Sequence, residues 1–139
     1  MFRRTCTAAL LLSFAALTAA QSSAHHEPAL SPAQEAIVSR KIATLKRPAE
    51  RQMAKSWSNA KKIAEMICRP AALTVLKKQD KSVDRVFLGT DDPTTLTLQS
   101  NTHLSGSGEV RTSKGWEDFK FTCEVDAQTG EVTSFQPVF

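Results

Sequence analysis

The sequence predicts an α+β domain in which two or three N-terminal helices pack on a four- to five-stranded antiparallel sheet. Before about residue 82 the apolar residues recur at the spacing of helices, and after it they alternate with polar residues as in strands. Apart from Cys6 near the N-terminus, each half contains one cysteine, Cys68 at the end of a predicted helix and Cys123 in the clearest predicted strand. A bond between them would hold the two halves together.

The first 24 residues have the pattern of a secretory signal peptide. Arg3 and Arg4 form its basic start, residues 8–20 its apolar stretch, and residues 22–24 a small-residue cleavage site. The apolar stretch is shorter than the roughly 20 residues that a membrane-spanning helix needs, and no second one follows. We therefore expect the processed protein to be periplasmic or secreted, with no stable insertion in a membrane.

Cleavage at this site would leave a flexible N-terminus at residues 25–31 and a single α+β domain at residues 32–139. It would also remove Cys6. Cys68 and Cys123 then remain as an even pair in an oxidising compartment, which predicts a disulfide.

The charge of the chain is less basic after processing than before it. Loss of Arg3 and Arg4 removes two of the 18 basic residues and none of the 14 acidic ones, so the formal net charge falls from +4 to +2. The basic residues of the first half alternate with alanine, glutamate and isoleucine, as on the solvated faces of helices. We expect no nucleic-acid binding.

The first helix has a clear start signal. Ser31 can cap it, Pro32 suits its first position, and Gln34 can complete a capping box. This helix is predicted to run to about Leu45.

Two further helices are predicted, one from Pro48 to about Cys68 and a short one from Pro70 to Lys78. The longer helix carries one narrow apolar stripe, spaced by three and four residues. Its members are Met53, Trp57, Ala60, Ala64 and Ile67.

The second half of the chain predicts up to five strands, at 83–88, 94–99, 104–111, 117–125 and 131–135. The third is expected to be weak, because Gly106 and Gly108 interrupt it. In the fourth, Phe119, Phe121 and Cys123 alternate with charged or polar residues, which is typical of a half-buried antiparallel strand. A five-residue turn that ends in glycine joins it to the last strand.

Several residues between the first retained cysteine and the last strand form a recognisable set. They are Cys68, Ala71, Asp84-Arg85-Val86, Gly106, Trp116, Phe119-Lys120-Phe121-Thr122-Cys123 and Ser134-Phe135. This set resembles the proteobacterial exported proteins grouped as domain-of-unknown-function family 930. That family has no assigned activity, so the resemblance implies location and fold more than function.

The segment 123–132 has a second, shorter resemblance. Its Asp-Ala-Gln-Thr-Gly turn and flanking residues are similar to the closing hairpin of PepSY domains. Those domains also place a helix against a short sheet and are suspected of inhibiting or binding peptidases. The resemblance implies an inhibitor or chaperone of an exported enzyme.

The sequence offers few candidates for metal binding. His25 and His26 could bind copper or zinc at the new N-terminus, although a disordered polar chain end is the simpler interpretation. His103 has no cysteine or histidine nearby. We expect neither a metal nor another cofactor.

Catalytic candidates are similarly weak. Asp91 and Asp92 precede a proline and have the composition of a turn, while Glu117 and Asp118 are adjacent in a strand and so face opposite sides. A nucleophilic Cys123 would need a neighbouring base, and the disulfide is the expected state instead. The sequence therefore contains no catalytic residues that we can name.

Arg85 is the one candidate for a ligand or partner contact. In the predicted strand 83–88, Arg85 shares a face with Val83 and Phe87, and Asp84 lies on the other face, so one of the two charges should face apolar neighbours. A guanidinium there needs a carboxylate, carbonyl oxygens or a bound anion. Arg85 would therefore pair within the domain, extend to solvent at a sheet edge, or bind an acidic ligand or partner.

Taken together, these patterns predict an exported, non-catalytic binding or envelope-interaction domain, whose partner is another envelope or exported protein. An inhibitor or chaperone of an exported enzyme is the first alternative, and a hydrolase is the second. An enzyme requires a cleft with converging polar groups, whereas a binding module exposes an apolar patch or groove.

Overall fold

The computed structural model describes residues 26–139, so the predicted signal peptide and His25 lie outside the described residues. The helices are α1 (Pro32–Thr44), α2 (Pro48–Ser56), α3 (Asn59–Ile63) and α4 (Arg69–Gln79), with a π-helical turn at Ala64–Cys68 between the last two. The strands are β1 (Arg85–Leu88), β2 (Leu96–Ser100), β3 (His103–Thr112), β4 (Gly115–Val125) and β5 (Val132–Val138). The predicted α+β class is confirmed. In the described part, no helix is long and apolar enough to cross a membrane.

The sheet is antiparallel and is organised around β3. Strand β4 pairs with one side of β3, and β5 pairs with the far side of β4. On the other side of β3, β1 and β2 follow one another along the same edge, β1 opposite residues 108–111 and β2 opposite residues 103–106. Residues 89–95 therefore form a loop between two strands that share one edge of β3.

The expectation of a weak third strand is wrong, because β3 has ten residues and pairs with three neighbours. A Cβ at Gly106 would lie 2.3 Å from the carbonyl oxygen of Thr95. A Cβ at Gly108 would lie 2.6 Å from Cζ of Phe119. The two glycines thus make room for a close backbone approach and for an aromatic ring, and do not interrupt the strand.

The predicted helix from Pro48 to Cys68 is also corrected. It breaks at Trp57, whose backbone is extended, and a new helix starts after Ser58, whose side chain accepts a hydrogen bond from the backbone N–H of Lys61. Of the predicted stripe, Ala60, Ala64 and Ile67 are buried, Trp57 is half-buried, and Met53 is 54% exposed. The apolar spacing continues across the break, so periodicity alone could not locate it.

The helical backbone does not end near Cys68 either, because the π-helical turn leads directly into α4. Proline has no N–H to donate to the carbonyl of Met66, four residues earlier. The ammonium group of Lys41 on α1 donates a hydrogen bond to that carbonyl instead. Partial burial lowers the pKa of Lys41. A side chain from another helix therefore replaces the missing backbone donor.

The residues before α1 make defined contacts, although a flexible segment was predicted at 25–31. The two carboxylate oxygens of Glu27 accept hydrogen bonds of 2.7 Å from the backbone N–H groups of Asn59 and Ala60, and so cap α3. The side chain of Asn59 donates to the carbonyl of Pro28. The stretch from Glu27 is thus held against the helices.

The helices cover one face of the sheet and form a single apolar core with it. The predicted disulfide joins Cys68, at the end of the π-helical turn, to Cys123 in β4, and both residues are fully buried. The predicted capping box at Ser31 and Gln34 is present. The buried amide of Gln34 also donates to the carbonyl of Asn101, which connects α1 to the turn between β2 and β3.

Candidate interaction surface on the open sheet face

The face of the sheet that the helices leave uncovered, here called the open face, carries the candidate site. Its side chains alternate along each strand with the buried ones, as the burial of β1 and of most of β4 shows. At one end of this face, six residues form two rows across β1, β3 and β4, here called the open-face patch. One row is Arg85, Arg111 and Trp116, and the next is Phe87, Glu109 and Asp118.

The centre of the patch is an exposed aromatic pair. Phe87 and Trp116 are 38% and 49% exposed. Their ring centroids are 5.5 Å apart and the ring planes differ by 16°, so the rings are stacked. They belong to β1 and β4, on either side of β3, and together form an apolar surface that bridges the central strand. Rings placed in solvent in this way are available to a partner.

Arg111 is fixed beside this pair. Its Nε and one terminal nitrogen donate hydrogen bonds of 2.8 and 2.6 Å to the two carboxylate oxygens of Asp84, and its guanidinium carbon lies 5.6 Å from the Trp116 ring centroid. The hydrogen bonds from Arg111 lower the pKa of Asp84, and the same pairing raises the pKa of Arg111. The arginine is therefore held both by a bidentate ion pair and by the indole.

The structure corrects the reasoning about Arg85. Strand β1 begins at Arg85, and the alternation does not extend back to Asp84, because Val83 is buried while Asp84 and Arg85 are both exposed. Neither charge faces apolar neighbours. Arg85 lies directly opposite Arg111, and within residues 26–139 it makes neither a side-chain hydrogen bond nor an ion pair. Its position in the patch, and not its burial, makes it a candidate contact.

A pair of carboxylates lies next to the arginines. Glu109 and Asp118 are directly opposite each other on β3 and β4, and neither has a basic partner within 4 Å among the residues that the structure describes. The nearby Lys120 donates instead to the hydroxyl of Ser107. Within each row of the patch, the charges on neighbouring strands therefore have the same sign, whereas the two rows have opposite signs.

The other candidate residues do not assemble into a site of this kind. Asp92 caps the 3-10 turn that starts at Pro93, and its bonds to Thr94 lower its pKa. Asp91 is exposed and, with Trp57, lines a cleft of about 610 Å³ beside the 89–95 loop. The described part of the chain contains no group of three or more potential metal ligands, and His26 is exposed.

One histidine and carboxylate pair lies elsewhere on the open face. The Nδ1 atom of His103 hydrogen-bonds to a carboxylate oxygen of Glu124 on the adjacent strand. In the described residues no hydroxyl or thiol is hydrogen-bonded to this histidine, so the pair lacks the nucleophile of a hydrolase triad. Cys68 and Cys123 form the disulfide.

Reasoning from the sequence identified Arg85 but missed the remaining patch residues as a site. Strand alternation alone predicts that Phe87 and Trp116 point outward, because Phe87 lies two residues from Arg85 and Trp116 lies two residues from Asp118. Their contact across β3 depends on the register of three strands. That register could not be deduced from the sequence.

Comparison with known proteins identifies a family. The model of the family described as Domain of Unknown Function (DUF930) matches residues 57–137, more than half of the chain. The matched region begins at the helix break and includes the disulfide, the open-face patch, strands β1 to β4 and all of β5 except its last residue. No curated protein and no solved structure matches significantly. The similarity of the closing hairpin to PepSY domains stays a prediction. The chain therefore belongs to the DUF930 family.

Proposed function

We propose that this protein is an exported, non-catalytic interaction module, which binds another protein of the cell envelope or exterior through the open-face patch. The observation that carries the proposal is the stacked, solvent-exposed pair of Phe87 and Trp116. Small proteins do not usually expose adjacent large aromatic rings without a use for them, and aromatic side chains are enriched at protein contacts.

The surroundings of the rings support this proposal. Arg111 is already oriented by Asp84 and by the Trp116 ring, so little side-chain freedom would be lost when a partner binds. Arg85, Glu109 and Asp118 surround the rings with charges. An apolar centre with a charged rim is the usual composition of a protein-binding surface.

The proposed location depends on the chain's N-terminal pattern and on its disulfide. Residues 1–24 have the basic, apolar and small-residue segments of a signal peptide. The buried bond between Cys68 and Cys123 is the kind of crosslink that persists in an oxidising compartment. We therefore place the processed protein in the periplasm or outside the cell.

Affinity capture from an envelope extract of the host tests the proposal. The bait is the processed protein, compared with its Trp116→Ala and Phe87→Ala variants. The matched control is Met53→Ala, which removes a similarly exposed apolar side chain from α2, away from the patch. We expect a protein that the wild type and the control both retain and that both patch variants lose, with all melting temperatures alike. Equal retention by all four baits would contradict the proposal.

A further inference from the structure

Building on the proposed function, we propose that the protein bound at the open-face patch is a second copy of this chain. The argument comes from the order of charges in the patch. Arg85 and Arg111 lie side by side in one row, and Glu109 and Asp118 lie side by side in the next. Like charges directly opposite each other on neighbouring strands are unfavourable. Asp84 already compensates Arg111 within the chain, which leaves Arg85, Glu109 and Asp118 without a paired charge among residues 26–139. A partner with the opposite order of charges would compensate both rows.

A second copy can supply opposite charges to both rows if a two-fold axis relates it to the first. This axis lies in the plane midway between the two facing sheets, runs parallel to the rows and passes between them. This rotation turns the open faces towards each other and places each row against the other row of the second copy. It keeps β3 over β3, so that Arg111 faces Glu109 in both halves of the contact. An isologous pairing of this type closes as a dimer.

The remaining facing positions are complementary as well. By strand register, the position of Arg85 lies opposite that of Phe87 in the other copy, and a guanidinium can contact an aromatic ring. Trp116 faces Asp118, whose carboxylate can accept the indole N–H. A two-fold axis along the strands would instead place Arg111 against Arg111 and Glu109 against Glu109. The charge order therefore selects the first axis.

Charge-reversal variants test this pairing. The acidic variant is Arg85→Glu with Arg111→Glu, and the basic variant is Glu109→Arg with Asp118→Arg. Each variant has a patch of one sign, so each should self-associate at least about tenfold more weakly than the wild type. An equimolar mixture of the two should form a mixed dimer, because each reversed row then faces a row of opposite charge in the other variant.

Sedimentation velocity and co-purification of differently tagged copies measure these outcomes. Lys55→Glu, a charge reversal at an exposed position of α2, is the matched control and should dimerise as the wild type does. If a reversed variant fails to fold, Trp116→Ala takes its place and should also dimerise more weakly than the wild type, whose dimerisation should weaken with salt.

The inference and the proposed function can fail separately. A wild-type protein that stays monomeric up to about 1 mM overturns the second copy as partner. If that monomer still captures a different protein in a Trp116-dependent manner, the proposed function stands and only the inference fails. A dimer that the reversals leave unchanged also overturns the inference, since it must use another surface.

Discussion

The disulfide between Cys68 and Cys123 should provide a large share of the stability of this small domain. The bond closes a loop with a sequence separation of 55 residues. The chain-entropy relation for a loop of this length gives a stabilisation of about 4 kcal/mol at 25 °C, because the crosslink removes conformations from the unfolded chain. A domain of this size has only about 5 to 15 kcal/mol in total.

Urea unfolding of the oxidised and the reduced protein measures this contribution without changing any other side chain. We expect the free energy of unfolding to fall by about 4 kcal/mol on reduction. The double variant Cys68→Ala/Cys123→Ala should not respond to reductant, which makes it the control for effects of the reagent. A loss under about 1 kcal/mol, or two free thiols in a non-reducing peptide map, would refute the crosslink as the link between the helices and β4.

Three further predictions test the sheet and the ion pair beside the patch. Phe121→Ala should lower the free energy of unfolding by about 3 to 5 kcal/mol, because its ring is buried, whereas Lys120→Ala on the open face should cost less than about 1 kcal/mol; equal urea midpoints would mean that the strand faces are wrongly assigned. Gly106→Ala should lower the melting temperature, although alanine usually stabilises a strand relative to glycine, because its Cβ would meet a backbone carbonyl at 2.3 Å; an unchanged or higher melting temperature would disprove that close contact. Arg111 lowers the pKa of Asp84, so this pair stabilises the fold above about pH 4 and loses its effect as the pH falls through the lowered pKa. Between about pH 6 and about pH 2, the melting temperature of Asp84→Asn should therefore fall by less than that of the wild type. Equal falls in melting temperature would show that the pair does not contribute.

Much of the fold could be predicted because local signals agreed with the final packing. The capping box at Ser31 and the alternation around Phe121 each match the observed element. The helix break at Trp57 could not be predicted in this way, because the apolar spacing stays in phase across it. A carboxylate from Glu27, some thirty residues earlier in the chain, helps to cap the helix that follows.

The candidate site was less predictable than the fold, because it depends on contacts between strands. Arg85 was identified for a reason that the structure corrects, since β1 starts two residues later than predicted and the arginine points to solvent. The glycines of β3 were interpreted as interruptions, although Gly108 accommodates the ring of Phe119. Both errors arose because a single strand does not reveal what lies opposite it.

Site-specific photo-crosslinking in the host tests most directly whether the open face is the contact surface. A photoreactive residue at position 116 reports on the patch, and one at position 53 reports on an equally exposed site of α2. We predict a discrete crosslinked product from position 116 and none from position 53, and Phe87→Ala should weaken the product. A product from position 53 alone, or none from position 116 while the protein is folded and exported, would contradict this account.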